Sequence, residues 1–307
     1  MSVTFCGLEL AHPIINGSGT FDAIAAARAF GEQVRRELPF AAYVSKTITL
    51  GAREGNSPPR LWEAPAGLIN SIGLPNKGLD GYLGEDLPLL VGMSCGPPDG
   101  AGAFAVPVIT NVMGSTAGEF ARLVEACDAR AEIAALELNV SCPNVKTGLD
   151  IGADPLQLEQ VVRAVRPLTR KPLIVKLTPN TADVAACAEG AQEGGADAVS
   201  LINTLRAMAL APRPAPVADG GAAPPWLGGR TGGLSGPAIR PVALAQVAAV
   251  AARVTIPVIG MGGVQTGEHA RDLMDAGAAL VAVGTESFRE PAAGARIARE
   301  LDALGGR

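Results

Sequence analysis

Histidine is almost missing from this sequence, with two in 307 residues, and none of the five cysteines stands in CxxC spacing. Zinc sites and iron–sulfur clusters need several thiolate or imidazole ligands at short spacings. The chain is therefore expected to hold no metal. Positive charge is also in short supply, with 25 Lys and Arg against 30 Asp and Glu and a net charge of −5. Contacts to a phosphate backbone need clustered Lys and Arg, and no basic stripe of that kind occurs, so nucleic acid is not an expected partner. No segment is apolar over the length of a membrane span. MSVTFCGLELAHP lacks both a basic leader and a long apolar stretch, so no signal peptide is expected. Cys6, Cys95, Cys127, Cys142 and Cys187 are widely spaced, as suits free thiols in a reducing compartment. A cytoplasmic protein without membrane contact is the expectation. No GxGxxG motif follows a first strand, which leaves a Rossmann dinucleotide site unsupported.

Aromatic residues make up 4% and charged residues 18%, whereas hydrophobic residues reach 48%. That apolar content is mostly Ala, Val, Leu and Ile, which suits buried parallel strands covered by helices. The length is one at which α/β barrels form a single unit, so one domain over 1–307 is expected. Eight short apolar runs recur: HPII (12–15), AAYV (41–44), AVPVIT (105–110), AALEL (134–138), PLIVKL (172–177), DAVSLI (197–202), IPVIG (256–260) and LVAVG (280–284). They are too short for helices. Between them lie stretches of helical periodicity, such as 117–130, 154–168, 181–195 and 267–278, several opening on Asp, Thr or Gly. Strand–helix alternation indicates a parallel sheet, and eight runs predict a (β/α)8 barrel, with an open doubly wound sheet as the alternative. Two long Gly- and Pro-rich segments, 51–80 and 206–230, interrupt the pattern. Loops of such length usually serve function; the second is read as an extended excursion, and residues 211–225 have the composition of a disordered insert.

Each run ends on something polar: Gly17-Ser18-Gly19, Lys46-Thr47, Asn111, Asn139, Lys176, Asn203-Thr204, Gly262-Gly263 and Gly284-Thr285. Barrel enzymes build their sites at the carboxyl ends of the strands. Eight such ends describe a pocket with two ammonium groups, several amides and backbone N–H donors. The glycines after strands seven and eight allow close backbone approach, and barrels often hold a phosphate there. A mononucleotide flavin fits this pattern. Lys176 would then place positive charge at the flavin pyrimidine edge; the alternative for Lys176 is a buried ion pair with Glu137.

The motifs NVSCPNV (139–145), SKT (45–47), NSIGLPNKG (70–78), KLTPN (176–180), INT (202–204), GGLSGPAIRP (232–241) and IGMGGV (259–264) resemble those of dihydroorotate dehydrogenases. The likeness is closest to class 1, within it to the FMN-containing catalytic subunit of the NAD-linked subtype, and runs from about Leu8 to the last helix. It implies an FMN-bearing (β/α)8 lid-covered barrel that oxidises dihydroorotate to orotate in pyrimidine biosynthesis, with hydride leaving C6 toward flavin N5. By this resemblance FMN would meet Ser18, Gly19, Lys46, Thr47, Asn111, Asn139, Lys176, Ile202 and Gly236. Its phosphate would sit at Gly262, Gly263, Gly284 and Thr285. Substrate would be held by Lys46, Asn70, Ser71, Ile72, Gly73, Leu74, Asn139, Asn203 and Thr204, with Lys46 stabilising charge that develops on the substrate carbonyls.

Cys142 would take the C5 proton, a role open to a thiol whose pKa is brought toward neutrality. The other four cysteines are expected to be small apolar residues. The resemblance further implies a homodimer and a partner subunit carrying FAD and an iron–sulfur cluster. Two other readings stay open at this level: the same chemistry on another dihydropyrimidine such as dihydrouracil, and a barrel that binds flavin or phosphate without turnover.

Overall fold

The computed structural model describes residues 2–96, 102–141, 151–212 and 223–305. Eight parallel strands form its centre: β1 (Ile14–Asn16), β2 (Tyr43–Val44), β3 (Val108–Val112), β4 (Ile133–Asn139), β5 (Leu173–Lys176), β6 (Ala198–Leu201), β7 (Val258–Met261) and β8 (Leu280–Val283). They are hydrogen-bonded in the order β1-β8-β7-β6-β5-β4-β3-β2. All eight apolar runs of the sequence contribute a strand, and the chain is a (β/α)8 barrel. Apart from the polar residues that face the barrel interior, these strands are buried Val, Ile, Leu and Ala, as expected for strands covered on both faces.

The seam between β1 and β2 closes through a side chain. Asn16 Oδ1 accepts from Val44 N at 2.8 Å, and its Nδ2 donates to Val44 O at 2.8 Å. Beside it, Ala41 N donates to Ile14 O at 3.0 Å. The carboxamide thus supplies one donor and one acceptor where a strand would have supplied a peptide unit.

Helices pack around the strands, and local signals set where they start. Asp22, Thr116, Asp154, Asp183 and Thr266 each precede a helix and accept from backbone N–H groups of its first turn. Each such cap is worth about 1 kcal/mol. One hydrophobic cluster runs from Phe5 to Leu301 and joins strands to helices throughout. Cys95, Cys127 and Cys187 are buried in it. Cys6 differs: with Gly7 it forms the turn of an antiparallel hairpin (Val3–Phe5 with Leu8–Leu10), at φ 47° and 81°. Positive φ at both central residues is the signature of a type I′ hairpin turn.

The two long interruptions of the pattern meet. Strands Leu61–Ala64 and Gly67–Asn70 from the first pair with Gly232–Ser235 and Leu205–Ala207, which flank the second, in one four-stranded antiparallel sheet. Ile69, Ala209 and Leu227 form a small core of its own, flanked by Trp62, Ala207 and Leu234. The expected excursion at 206–230 is therefore ordered at both ends, while residues 213–222 lie outside the described part of the chain.

Candidate active site

A cavity of about 530 Å³ opens at the carboxyl ends of the strands, under the four-stranded sheet. Ser18 and Gly19 follow β1, Lys46 and Thr47 follow β2, and Asn139 and Lys176 end β4 and β5; all line it. Ile202, Asn203 and Thr204 line it after β6, Gly262 and Gly263 after β7, and Gly284 and Thr285 after β8. The lid sheet and its flanks contribute Asn70, Ser71, Ile72, Gly73, Leu74 and Gly236. The structure therefore gathers nearly every sequence-predicted site residue around one space. Asn111 is the exception: it is fully buried and does not line the cavity. Cys142 lies outside the described residues.

Hydrogen bonds fix the polar side chains across strands. Ser18 Oγ donates to Ser45 O at 2.8 Å and lies 3.4 Å from Thr47 Oγ1. Asn139 Nδ2 donates to Thr47 Oγ1 at 3.3 Å, and Asn139 Oδ1 accepts from Ser141 Oγ at 2.6 Å. Asn203 Nδ2 donates to the same Ser141 hydroxyl, and Thr204 N donates to Asn203 Oδ1 at 2.9 Å. A continuous line of amides and hydroxyls thus crosses the barrel mouth from β2 to β6. Each amide nitrogen on it carries a second N–H for a ligand. Ser141, in the middle of this line, directly precedes Cys142 in sequence.

Two glycines answer to identifiable close approaches. Gly263 has φ 70°, and a Cβ there would come within 2.9 Å of Gly236 O. Gly73 has φ 78°, and a Cβ would lie 2.5 Å from Asn56 N. Residues with side chains would disfavour the first conformation and push the cavity-lining loop away from Asn56 in the second.

The electrostatics are one-sided. Lys46, Lys176 and Arg206 line the cavity, and among the described residues no Asp or Glu does. Lys176 is only 5% exposed and makes no hydrogen bond or ion pair with another described residue. The alternative pairing with Glu137 does not occur. Glu137 Oε2 accepts from Asn111 Nδ2 instead, and its Oε1 from Ser200 Oγ at 2.7 Å. With no protein partner among the described residues, the Lys176 ammonium is free to meet an anionic or electron-rich group in the cavity. Asn111 Oδ1 is likewise buried with no partner.

These features fit FMN. Its phosphate matches the glycine-lined end at Gly262, Gly263 and Gly284, and its ring edge carries acceptors for Lys176. Among the described residues no group of three or more His, Cys, Asp or Glu could hold a metal ion, and no helix is long and apolar enough to cross a membrane.

The sequence reading overlooked several residues at the site. Ser141 and Asn180 sit inside motifs quoted above, and Asn180 ties the loops together: its Nδ2 donates to Thr204 O at 3.0 Å and its Oδ1 accepts from Arg206 N at 2.8 Å. Their position inside those motifs was the available signal. Arg206 and Ser235 carry none, because their place over the cavity depends on the pairing of two distant insertions.

Comparison with known proteins agrees with this geometry. The family model described as dihydroorotate dehydrogenase matches residues 1–304. A protein of Citrifermentans bemidjiense named "Dihydroorotate dehydrogenase B (NAD(+)), catalytic subunit" is 42% identical over 303 residues, 98% of this chain and 92% of the relative. A protein of the same name from Desulforudis audaxviator is 44% identical over 305 residues, 98% of this chain and 91% of its own. The Geobacter sulfurreducens protein, again so named, is 42% identical over 303 residues. Resemblance in motifs, a barrel with its site at the strand ends, and similarity over almost the full length converge: this chain belongs to the dihydroorotate dehydrogenase family.

Proposed function

We propose that this chain is an FMN-dependent enzyme that oxidises dihydroorotate to orotate in pyrimidine biosynthesis, working as a single domain. The observation that carries the reading is a cavity that, among the described residues, has no carboxylate in its lining and a lysine without a partner, and that is crossed by a line of amides and hydroxyls. FMN, when bound, would supply the hydride acceptor. Gly262, Gly263, Gly284 and Thr285 would hold its phosphate, Gly236 would meet another part of it, and Lys176 would sit at the ring's pyrimidine edge. Ser18, Gly19, Thr47, Asn111 and Ile202 would complete the cofactor contacts.

Dihydroorotate is an anionic ring with two carbonyls and two N–H groups. Asn139, Asn203 and Thr204 offer donors and acceptors that match it, as do Asn70 and the segment Ser71, Ile72, Gly73 and Leu74. Lys46 is exposed to the cavity mouth and has no ion-pair partner among the described residues. It would neutralise the substrate's charge and the charge that grows on its carbonyl as C5 loses its proton. Cys142 would accept that proton.

The relatives' name includes "catalytic subunit", which supports a complex with a second chain. That chain would bear FAD and an iron–sulfur cluster and pass electrons to NAD. A homodimer of barrels and a cytoplasmic location complete the proposal.

The test is spectroscopic. Purified protein should be yellow, and dihydroorotate should bleach it anaerobically. Bleaching by dihydrouracil but not dihydroorotate would replace the substrate, and a yellow protein bleached by neither would leave a binding module. Co-purification of a second, cysteine-rich chain would identify the electron-transfer subunit.

A further inference from the structure

The two turns assigned to the phosphate belong to separate βα units: Gly262 and Gly263 follow β7, and Gly284 and Thr285 follow β8. An anion held by both needs the distance between them fixed. Arg296, on the last helix (Ala293–Gly305), does not line the cavity but is bonded to the chain just beyond both turns. Its Nη1 donates to Gln265 O at 3.0 Å, two residues after Gly263. Its Nε and Nη2 donate to Glu290 Oε2 at 2.8 and 2.6 Å, and its Nη2 stands 3.9 Å from Glu286 Oε1. Glu286 directly follows Thr285.

Two further links close the set. Gln265 Nε2 donates to Glu286 Oε2 at 3.0 Å and so joins the ends of the two turns directly. Glu300, one helical turn after Arg296, accepts from Arg296 Nη1 at 3.0 Å and from Gly267 N at 2.7 Å. Partly exposed ion pairs add little to stability one at a time. Their directions matter more here. A guanidinium is a rigid planar fork whose N–H groups point in fixed directions, so bonds to Gln265, Glu290 and Glu300 fix those three positions relative to one another. Three carboxylates would also repel a nearby anion, so this cluster is no phosphate site of its own. Its effect is on the main chain that leads into the two turns.

We propose that Arg296 is a positioning residue for the cofactor's phosphate, setting the separation of the Gly262-Gly263 and Gly284-Thr285 turns from outside the cavity. It touches no ligand. This deepens the FMN reading above and rests on it.

The test compares FMN with riboflavin, which has the same ring and side chain but no phosphate. Full-length protein is stripped of flavin and titrated with each. Arg296→Met should weaken FMN about tenfold, the scale on which partners behind a binding group are felt, and leave riboflavin affinity unchanged. A merely structural role would weaken both flavins alike. Arg296→Lys keeps the charge and loses the fork, and should behave as Arg296→Met does. Full recovery in the lysine variant would show that charge, not fixed spacing, carries the effect. Arg253, whose bonds go to Asp183 and Glu189, is the control: Arg253→Met should keep the wild-type ratio of the two affinities. Gln265→Ala removes only the link to Glu286 and keeps the test open if the Arg296 variants do not fold; it should weaken FMN by a smaller factor, again without riboflavin. A wild-type ratio in Arg296→Met, or in Gln265→Ala if that variant alone folds, would overturn the role of Arg296 while leaving the FMN reading intact. Wild-type protein that takes up no FMN, or binds riboflavin as tightly, would overturn the phosphate assignment on which it rests.

Discussion

The side-chain amide of Asn16 is bonded to both main-chain polar atoms of Val44, each at 2.8 Å, and in this way joins the first barrel strand to the second. Asn16 is fully buried, so no water replaces the amide if it is removed. Asn16→Leu would leave a backbone N–H and C=O buried without partners, at about 1–3 kcal/mol each. We expect a loss of about 2–5 kcal/mol in denaturant unfolding of the flavin-free protein. Asn16→Asp, which keeps the acceptor and loses the donor, should fall between. Wild-type stability in Asn16→Leu would show that the seam closes without this residue.

Asn16 also marks the limit of what the sequence discloses. The eight strands were legible because buried parallel strands must be short apolar runs, and the helices because Asp and Thr caps precede them. The cavity followed from the polar strand ends, since alternation places such residues at the barrel mouth. Asn16 escaped notice because it stands inside the first strand, where a polar residue reads as its end. The lid sheet escaped because strands Gly67–Asn70 and Gly232–Ser235 are more than 160 residues apart and Gly-rich, so neither alternation nor propensity announces their pairing. An ion pair of Lys176 with Glu137 was the alternative that the sequence left open; the structure gives Glu137 two donors on other strands instead.

Lys176 should set stability against binding. Its side chain is 5% exposed and its ammonium has no partner among the described residues of the flavin-free protein, and an apolar side chain of similar length removes the cost of holding that charge there. Lys176→Met is expected to raise the melting temperature of the apoprotein by a few degrees, as about 1–2 kcal/mol would. The same variant should bind FMN at least tenfold more weakly. A variant less stable than wild type when flavin-free would mean that Lys176 contributes to the fold itself.

His12 gives the fold an acid-sensitive element. It is 3% exposed, its Nδ1 accepts from Ile14 N at 3.3 Å, and burial pushes its imidazole down from 6.5 to about 4. The folded chain therefore keeps His12 neutral over a range where the unfolded chain protonates it. Its contribution is complete above pH 6.5 and is lost as pH falls toward 4, for a total of about 3 kcal/mol. Between pH 7 and pH 5, wild type should lose about 2 kcal/mol more than His12→Asn, which keeps an acceptor for Ile14 N but no titrating ring. Parallel pH profiles for the two proteins would contradict this.

The proposed role of Cys142 in proton removal rests on the family resemblance. Cys142→Ala should retain FMN and still bind orotate, seen as a shift of the flavin spectrum. Its anaerobic reduction by dihydroorotate should slow by about 10²–10⁴-fold, the range for loss of a general base. Reduction at the wild-type rate would move the base elsewhere.

The lid has a pin that can be drawn. Trp62 and Trp226, one from each insertion, meet edge to face with ring centroids 5.6 Å apart, and Trp62 flanks the small core of Ile69, Ala209 and Leu227. Such aromatic pairs are worth about 0.5–1.5 kcal/mol beyond the area they bury. The lid carries Asn70 and Ser71 on its cavity side, whereas the glycines at the phosphate end belong to the barrel. Trp226→Ala should therefore loosen the grip on the substrate ring and leave the cofactor's anchoring in place. The expected result is an orotate affinity weakened about three- to tenfold with FMN affinity unchanged. Equal losses for both ligands would mean that the sheet and the barrel mouth behave as one rigid unit, and that the edge-to-face pair stabilises the whole site instead of the lid alone.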